Sequence, residues 1–426
     1  VYLKPQADPR SSTPRSRDRA RAVRRRRTVA GVVVAALVVV VAVIATSGGS
    51  GPGAARAPSL GGPGTASVLG QDGSGAAPAP SAHAAAFNPP AAAVSVSDRL
   101  PLASQVAQLF LIGVDGTSTT SPAVAGFSSY DWGGAALGRT NFVSDAQIGS
   151  LAAGITALAK SAGNVAPLIA APQEGGPDTA FPDLPPQGEA VIGAAGDPAV
   201  ARAQAQLAGR QLLALGVNMT FAPLADVDVL GGSMTGRLFS TSPHAVGVFS
   251  TAAVAGYQAA GEISAAGHFP GAGAASADPD AMSATVGGSV QALAQRDLRP
   301  FAALAPAVPV IMMSNAAYAA FDGTTPAGLA PQAVRLLRDR YGFGGVVMTD
   351  DLDATLLSTG GTAGQAAVSA LQAGDDLLYI TGSSAEQLGA YHAVLSAVQS
   401  GRISRDRIRD ALLHVLALKA RYGLLG

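Results

Sequence analysis

The stretch GHFPGAGAASADPD, residues 267–280, sets one histidine, His268, and two aspartates, Asp278 and Asp280, in a background of glycine and alanine. An imidazole and carboxylates gathered on one loop are groups suited to moving protons. Asp278 and Asp280 are separated only by Pro279. Like charges that close disfavour double ionisation, which in a closed apolar site favours acid–base work. An exposed turn is the competing reading, because Asp-Pro initiates turns. A second acidic pair, Asp350 and Asp351, ends the run GGVVMTDD. Here the competing role is the N-cap of a following helix, which suits Asp351 better than Asp350. The chain has no cysteine, which excludes thiol nucleophiles, disulfides and Cys-ligated metals. Its five histidines, His83, His244, His268, His392 and His414, show no metal-ligand spacing, so neither a metal nor a cofactor is expected.

These residues need a scaffold. From about Asp98 onward, short apolar runs alternate with helix-length segments. Candidate strands are LFLIGV (109–114), GAAL (134–137), APLIAAP (166–172), VNMTFAP (217–223), ISAAGHF (263–269), VPVIMMSN (308–315), GGVVMTD (344–350) and DLLYI (376–380). Asp197 is a natural N-cap and Gly216 a natural stop for the helix between them, and ISRDRIRDALLHVLALKARYG carries an apolar stripe of Ile408, Leu412, Val415 and Leu418. Near-continuous apolar strands alternating with helices imply a parallel sheet covered on both faces. Eight repeats predict an α/β fold of the (β/α)8 TIM-barrel type. An open doubly wound sheet would need fewer strands or a glycine-rich dinucleotide turn, and the chain has no such turn. Barrel chemistry lies at the C-terminal strand ends. Gln173 and Glu174, Asp226 and Asp228, His268, Asn315, and Asp350 and Asp351 fall at five such ends in succession.

The first hundred residues read differently. Residues 1–27 hold ten Lys/Arg, leaving 18 of the 28 basic and 26 of the 28 acidic residues elsewhere. The remainder is mildly acidic, which argues against nucleic acid as a partner. The apolar run Val29–Ala45, within a segment 28–46, approaches the length of a membrane span. The arginines before it predict a single-pass anchor with the N-terminus inside and the body outside. A cleaved signal peptide, leaving a secreted body, is the alternative. Residues 47–97 are mostly Ala, Gly, Pro and Ser, the composition of a disordered tether. The body is expected to occupy 98–426 and to face cell-wall or extracellular glycans.

The motifs SQVAQLFLIGVDG, WGGAALGRTNFVSDAQI, LIAAPQEGG, GVNMTFAPLADVD, TGRLFS, GHFPGAG, MMSNAAY and RLLRDRYGFGGVVMTDDLDA appear in the order found in glycoside hydrolase family 3. Over residues 98–426 the chain resembles the single-domain bacterial β-N-acetylglucosaminidases that act on cell-wall fragments. The resemblance implies a TIM barrel, a glycan substrate and no cofactor. It makes Asp350 the nucleophile of a retaining mechanism with a covalent glycosyl–enzyme intermediate. It places sugar-binding roles on Arg237 and His268. The family's acid/base histidine is replaced by Asp280, a possible substitute, and the aspartate that orients it is Asp278.

Other departures empty the pocket. A carboxylate of the family is Pro172, an arginine is Ala180, a lysine is Gly267 and a second loop histidine is Ala272. Each charged hydrogen bond is worth about 1.5–3 kcal/mol, so the four absences together remove several powers of ten in affinity for the usual sugar. Gln173 and Glu174 read as structural, since glycines after them let the backbone turn at the strand end. Two functions follow. One is a membrane-anchored, extracytoplasmic hydrolase of O-glycosyl bonds, β-N-acetylhexosaminide-like, with reduced or shifted activity. The other is a catalytically inactive relative that binds glycan or serves as a scaffold in the cell envelope.

Overall fold

The structure, a computed structural model, describes residues 87–425 except Pro177. The basic segment 1–27, the expected anchor 28–46 and most of the expected tether lie outside the described residues. Among the described residues no helix is long and apolar enough to cross a membrane.

All eight expected strands form. They are β1 (Phe110–Gly113), β2 (Gly134–Ala136), β3 (Leu168–Ala171), β4 (Met219–Thr220), β5 (Ile263–Phe269), β6 (Val310–Met313), β7 (Val346–Met348) and β8 (Leu378–Ile380). Consecutive strands from β1 to β7 pair in parallel, and β8 pairs in parallel with β1. The last seam, β7 to β8, is held by the parallel bridge Met348–Leu377 and by Thr349 N–H donating to the Leu377 carbonyl at 3.0 Å. The result is a nearly closed parallel barrel of the TIM type.

Except for β5, which fills its run, the strands are shorter than the apolar runs, for local reasons. At β4 the Asn218 side chain takes the Ile169 N–H at 2.9 Å in place of a backbone partner. Pro223, three residues past the strand, has no N–H to extend the ladder. GAAL and ISAAGHF have little β-branched content, yet both are strands, because small side chains let neighbours close in. A Cβ on Gly134 would lie 2.4 Å from the Leu168 carbonyl oxygen.

The helices follow their sequence signals. Asp197 accepts the Ala199 N–H at 2.9 Å to cap Pro198–Ala214, and Gly216 ends that segment at φ 76°. The closing helix, Arg405–Arg421, starts at Ser404 and buries Ile408, Leu412, Val415 and Leu418. Burial of each such aliphatic side chain contributes about 1.5–3 kcal/mol. The ordered body starts earlier than residue 98. Ala91–Arg99 is a helix that buries Ala93 and Ser97, and Asp98 meets Arg409 at 2.6 Å. Phe87 stacks on His414 with centroids 3.8 Å apart. Residues 87–97, the last part of the expected tether, therefore belong to the ordered body, because the alternating AAAVSVS segment has a face to bury.

At the base of the barrel, Asp376 precedes β8 and accepts from Arg338 at 2.5 Å, Arg407 at 3.1 Å and Val347 N–H at 3.0 Å. Buried Lys419 donates to Gln108 at 2.7 Å, and Gln108 donates to Asp131 at 2.7 Å. Burial lowers the amine to about 7, against the opposing charge of Asp131.

Candidate active site

The strand ends at the top of the barrel bring the acidic residues together. Asp350 lies two residues beyond β7 and is 7% exposed. Its Oδ1 accepts the Asp351 N–H at 2.8 Å, which leaves Oδ2 for another partner. Asp351 is the N-cap of the helix Leu352–Thr359. It accepts Asp353 N–H at 3.0 Å and Thr381 N–H at 2.9 Å through Oδ1, and the Thr381 hydroxyl through Oδ2 at 2.5 Å. The capping role is thus filled by Asp351, and Asp350 is left for another. Burial pushes the Asp350 carboxyl well above the usual carboxylate range, and the charge of Asp280 adds to this. His268 and the Asp351 N–H oppose it.

His268 is the next-to-last residue of β5. Its Nδ1 meets Asp226 Oδ2 at 2.9 Å, and its backbone N–H donates to the same oxygen at 3.1 Å. Ala272 N–H donates to Asp226 Oδ1 at 2.5 Å. Burial alone would push the imidazole down. The charge and hydrogen bond of Asp226, with Asp350 and Asp280, overcome it and raise His268 to about 10. The loop's glycines make this fit possible. A Cβ on Gly273 would come within 1.9 Å of the Val227 carbonyl oxygen, and Gly271, at φ 123°, gives its carbonyl to the Tyr318 hydroxyl at 3.0 Å.

Asp278 and Asp280 are both exposed, and Asp278 Oδ1 accepts the Asp280 N–H at 3.1 Å. Asp278 therefore shapes the turn through the backbone. Asp280 belongs to two groups of residues. It lines a cleft of about 620 Å³ with Asp278, Arg139, Glu174 and Arg237, and its charge raises the Asp350, His268 and Tyr379 groups. Pro172 and Ala180 line the same cleft. Arg237 Nη2 meets Glu174 Oε2 at 2.8 Å, so Glu174 holds the arginine at the cleft wall. Gln173 is structural. Its amide binds the Phe181 N–H and the carbonyls of Phe181, Leu184 and Pro185. Asn315 also braces the scaffold, donating to the Asp351 carbonyl at 3.1 Å and accepting from Thr355 at 2.6 Å.

Three groups carry no role in the sequence reading. Arg139 lines the cleft from just beyond β2, a strand-end position that could have marked it. Tyr379 lies on β8 and its ring meets Phe221, which follows β4, at 5.0 Å. Strands four apart face each other in an eight-stranded barrel, so this contact crosses the interior. Burial, then the charges of Asp351, Asp350 and Asp280, raise the Tyr379 phenol. Asp226 appears at a strand end in the sequence, but its hold on His268 spans 42 positions and leaves no local signal.

Among the described residues, Asp376, Asp410 and His414 form a group with metal-ligand reach, their ligand atoms within 4.8 Å of one another. Asp376 is occupied by two guanidinium groups, so the donor set fits an ion-pair network better than a cation.

Fold and site together define a parallel α/β barrel with buried carboxylates at its strand ends and a polar cleft beside them. The chain belongs to glycoside hydrolase family 3: residues 102–418 match the glycosyl hydrolase family 3 N-terminal domain. A β-hexosaminidase of Stenotrophomonas maltophilia is 31% identical over 288 residues, covering 64% of this chain and 83% of that protein. A family 3 β-N-acetylglucosaminidase structure from Paenibacillus sp. FPU-7 is 33% identical with a TM-score of 0.72, covering 76% of this chain. This chain spans 63% of the Paenibacillus protein. A β-N-acetylhexosaminidase structure from Beutenbergia cavernae is 28% identical with a TM-score of 0.68, covering 75% of this chain and 99% of that one.

Proposed function

We propose that the chain is a retaining β-N-acetylhexosaminide-like glycoside hydrolase of altered specificity, acting outside the cell on a cell-wall or related glycan. The expected N-terminal anchor would hold it at the membrane. The observation that supports the chemistry is that Asp280 lines the cleft and its charge acts on the buried Asp350. In the first step Asp350 Oδ2 attacks the anomeric carbon as the glycosidic C–O bond breaks, and Asp280 gives its proton to the leaving oxygen. In the second, Asp280 takes a proton from water, the water oxygen attacks the same carbon, and Asp350 leaves. Arg237, oriented by Glu174, and His268, whose Nδ1 is committed to Asp226, supply sugar contacts.

The altered specificity follows from the cleft. Pro172 and Ala180 offer it no polar side chain, and Ala272 is buried with none. The same positions favour a second reading, a glycan-binding barrel without turnover. Activated aryl β-glycosides, including the N-acetylglucosaminide, separate the two, because a good leaving group needs little protonation. Turnover by the wild type that vanishes in Asp350→Asn supports the hydrolase. No turnover on any sugar leaves the binding barrel.

A further inference from the structure

We propose that Arg139 makes the cleft a site for an acidic glycan, one whose transferred sugar carries a carboxylate away from the scissile bond. This rests on the reading of the cleft as the sugar site of a hydrolase and names the class of substrate it takes.

The order of strands around the barrel divides the cleft by charge. β2, β3, β4 and β5 are neighbours in turn, and each leads into part of the wall. Arg139 comes from just beyond β2, Pro172 and Ala180 from the segment after β3, and Arg237 from the segment after β4. Asp278 and Asp280 come from the loop after β5. Arg139 and the two aspartates therefore stand at opposite ends of an arc. Between them Glu174 is paired with Arg237 at 2.8 Å, and Pro172 and Ala180 carry no charge.

Arg139 is exposed, and among the described residues no hydrogen bond or ion pair engages its side chain. Its backbone is nevertheless fixed. Buried Asn141 accepts the Gly138 N–H at 2.7 Å and donates to the carbonyls of Val114 at 2.9 Å and Gly116 at 2.6 Å, which ties the turn to the end of β1. A guanidinium on a braced turn, with no protein anion to neutralise it, is suited to an anion that arrives with the ligand. Its planar fork matches a carboxylate through two parallel N–H donations.

Placement decides which sugar carries that carboxylate. Asp280 serves the leaving oxygen, so the end of the cleft remote from it belongs to the transferred sugar. A carboxylate laid beside Asp278 and Asp280 would be repelled, and the same group beside Arg139 would be attracted, which fixes the sense in which the substrate lies. At about 620 Å³ the cleft is within the size range of small-molecule sites and has room for a sugar with such a substituent.

The test compares aryl β-glycosides that differ in the acid: the glucuronide against the glucoside, and the 3-O-lactyl ether of the N-acetylglucosaminide against its parent. In the wild type kcat/KM should favour at least one acid over its neutral parent. That ratio should fall about tenfold in Arg139→Gln, one charge-assisted hydrogen bond's worth, with Arg139→Ala as a second neutral variant if the glutamine form does not fold. No preference for either acid overturns the proposal. So does a preference that survives the substitution, or a loss equal on acid and neutral substrates. Should the wild type turn over no glycoside, the hydrolase reading fails separately. Calorimetric binding of the methyl β-glycosides of the same four sugars then decides the role of Arg139. Tighter binding of an acid that is lost in the variant supports it, and binding without acid preference overturns it.

Discussion

Replacing Asp280 with asparagine removes a charge and a proton carrier while keeping nearly the same shape. Two effects should follow. As acid/base in a retaining site, Asp280 must approach within about 5–5.5 Å of Asp350. At that separation the repulsion between two carboxylates is about 3 kcal/mol at an effective dielectric near 20 and about 0.8 kcal/mol in water. Asp280 is exposed, so the lower end applies. The midpoint of the Asp350 carboxyl, read directly by carbon-13 NMR, should move to lower pH by about half to one unit, since burial and then the charge of Asp280 push it up. In kcat/KM the working form carries the proton on Asp280, so the alkaline limb should disappear in the variant. Loss of the proton carrier should slow an alkyl glycoside by about 10²–10⁴-fold. A dinitrophenyl glycoside should keep its first step, accumulate the glycosyl–enzyme and regain turnover when azide is added. Steady-state rates on both substrates from pH 4 to 9, with and without azide, read the kinetic effects. Equal losses on the two leaving groups with a retained alkaline limb would refute the role of Asp280.

Three further outcomes are expected. Glu262 is fully buried, neither carboxylate oxygen has a partner in the described structure, and burial holds it well above the usual range. Its raised value gives stability that is present at low pH and lost as pH rises through the folded value. Thermal midpoints should therefore fall from pH 5 to 8, and Glu262→Gln should flatten that slope. Asp376→Asn leaves Arg338 and Arg407 without their shared anion, and should cost about 3–5 kcal/mol in urea unfolding. Gly267 has room for a side chain, since a Cβ there meets Met312 no closer than 3.7 Å. Gly267→Lys should fold and raise kcat/KM on aryl N-acetylglucosaminide by about tenfold, one charged hydrogen bond's worth; an unchanged value would place the lost specificity elsewhere.

The barrel was legible because its strands are short apolar runs bounded by helix signals. Asp197, Gly216 and the Ile408–Leu418 stripe each mark a local event. Asp351 could be told from Asp350 as the cap for the same reason, as a cap involves residues only a few positions away. What the sequence hid is long-range or depends on which way a side chain faces. The Glu174–Arg237 contact spans 63 positions and the Asp226–His268 contact 42, and neither has periodicity. Tyr379 looks like one more apolar strand residue until β4 and β8 are placed across from each other. The helix Ala91–Arg99 was concealed by the Ala-rich composition it shares with the residues before it.

The nucleophile can be tested directly by trapping. The wild-type chain would be incubated with an activated fluoro-sugar of the N-acetylglucosamine series, and the intact mass and its peptides then determined. A gain of one glycosyl unit on the peptide that contains Asp350, absent in Asp350→Asn, is the predicted result. A glycosyl unit on another residue, or turnover of the aryl glycoside by Asp350→Asn at the wild-type rate, would contradict it.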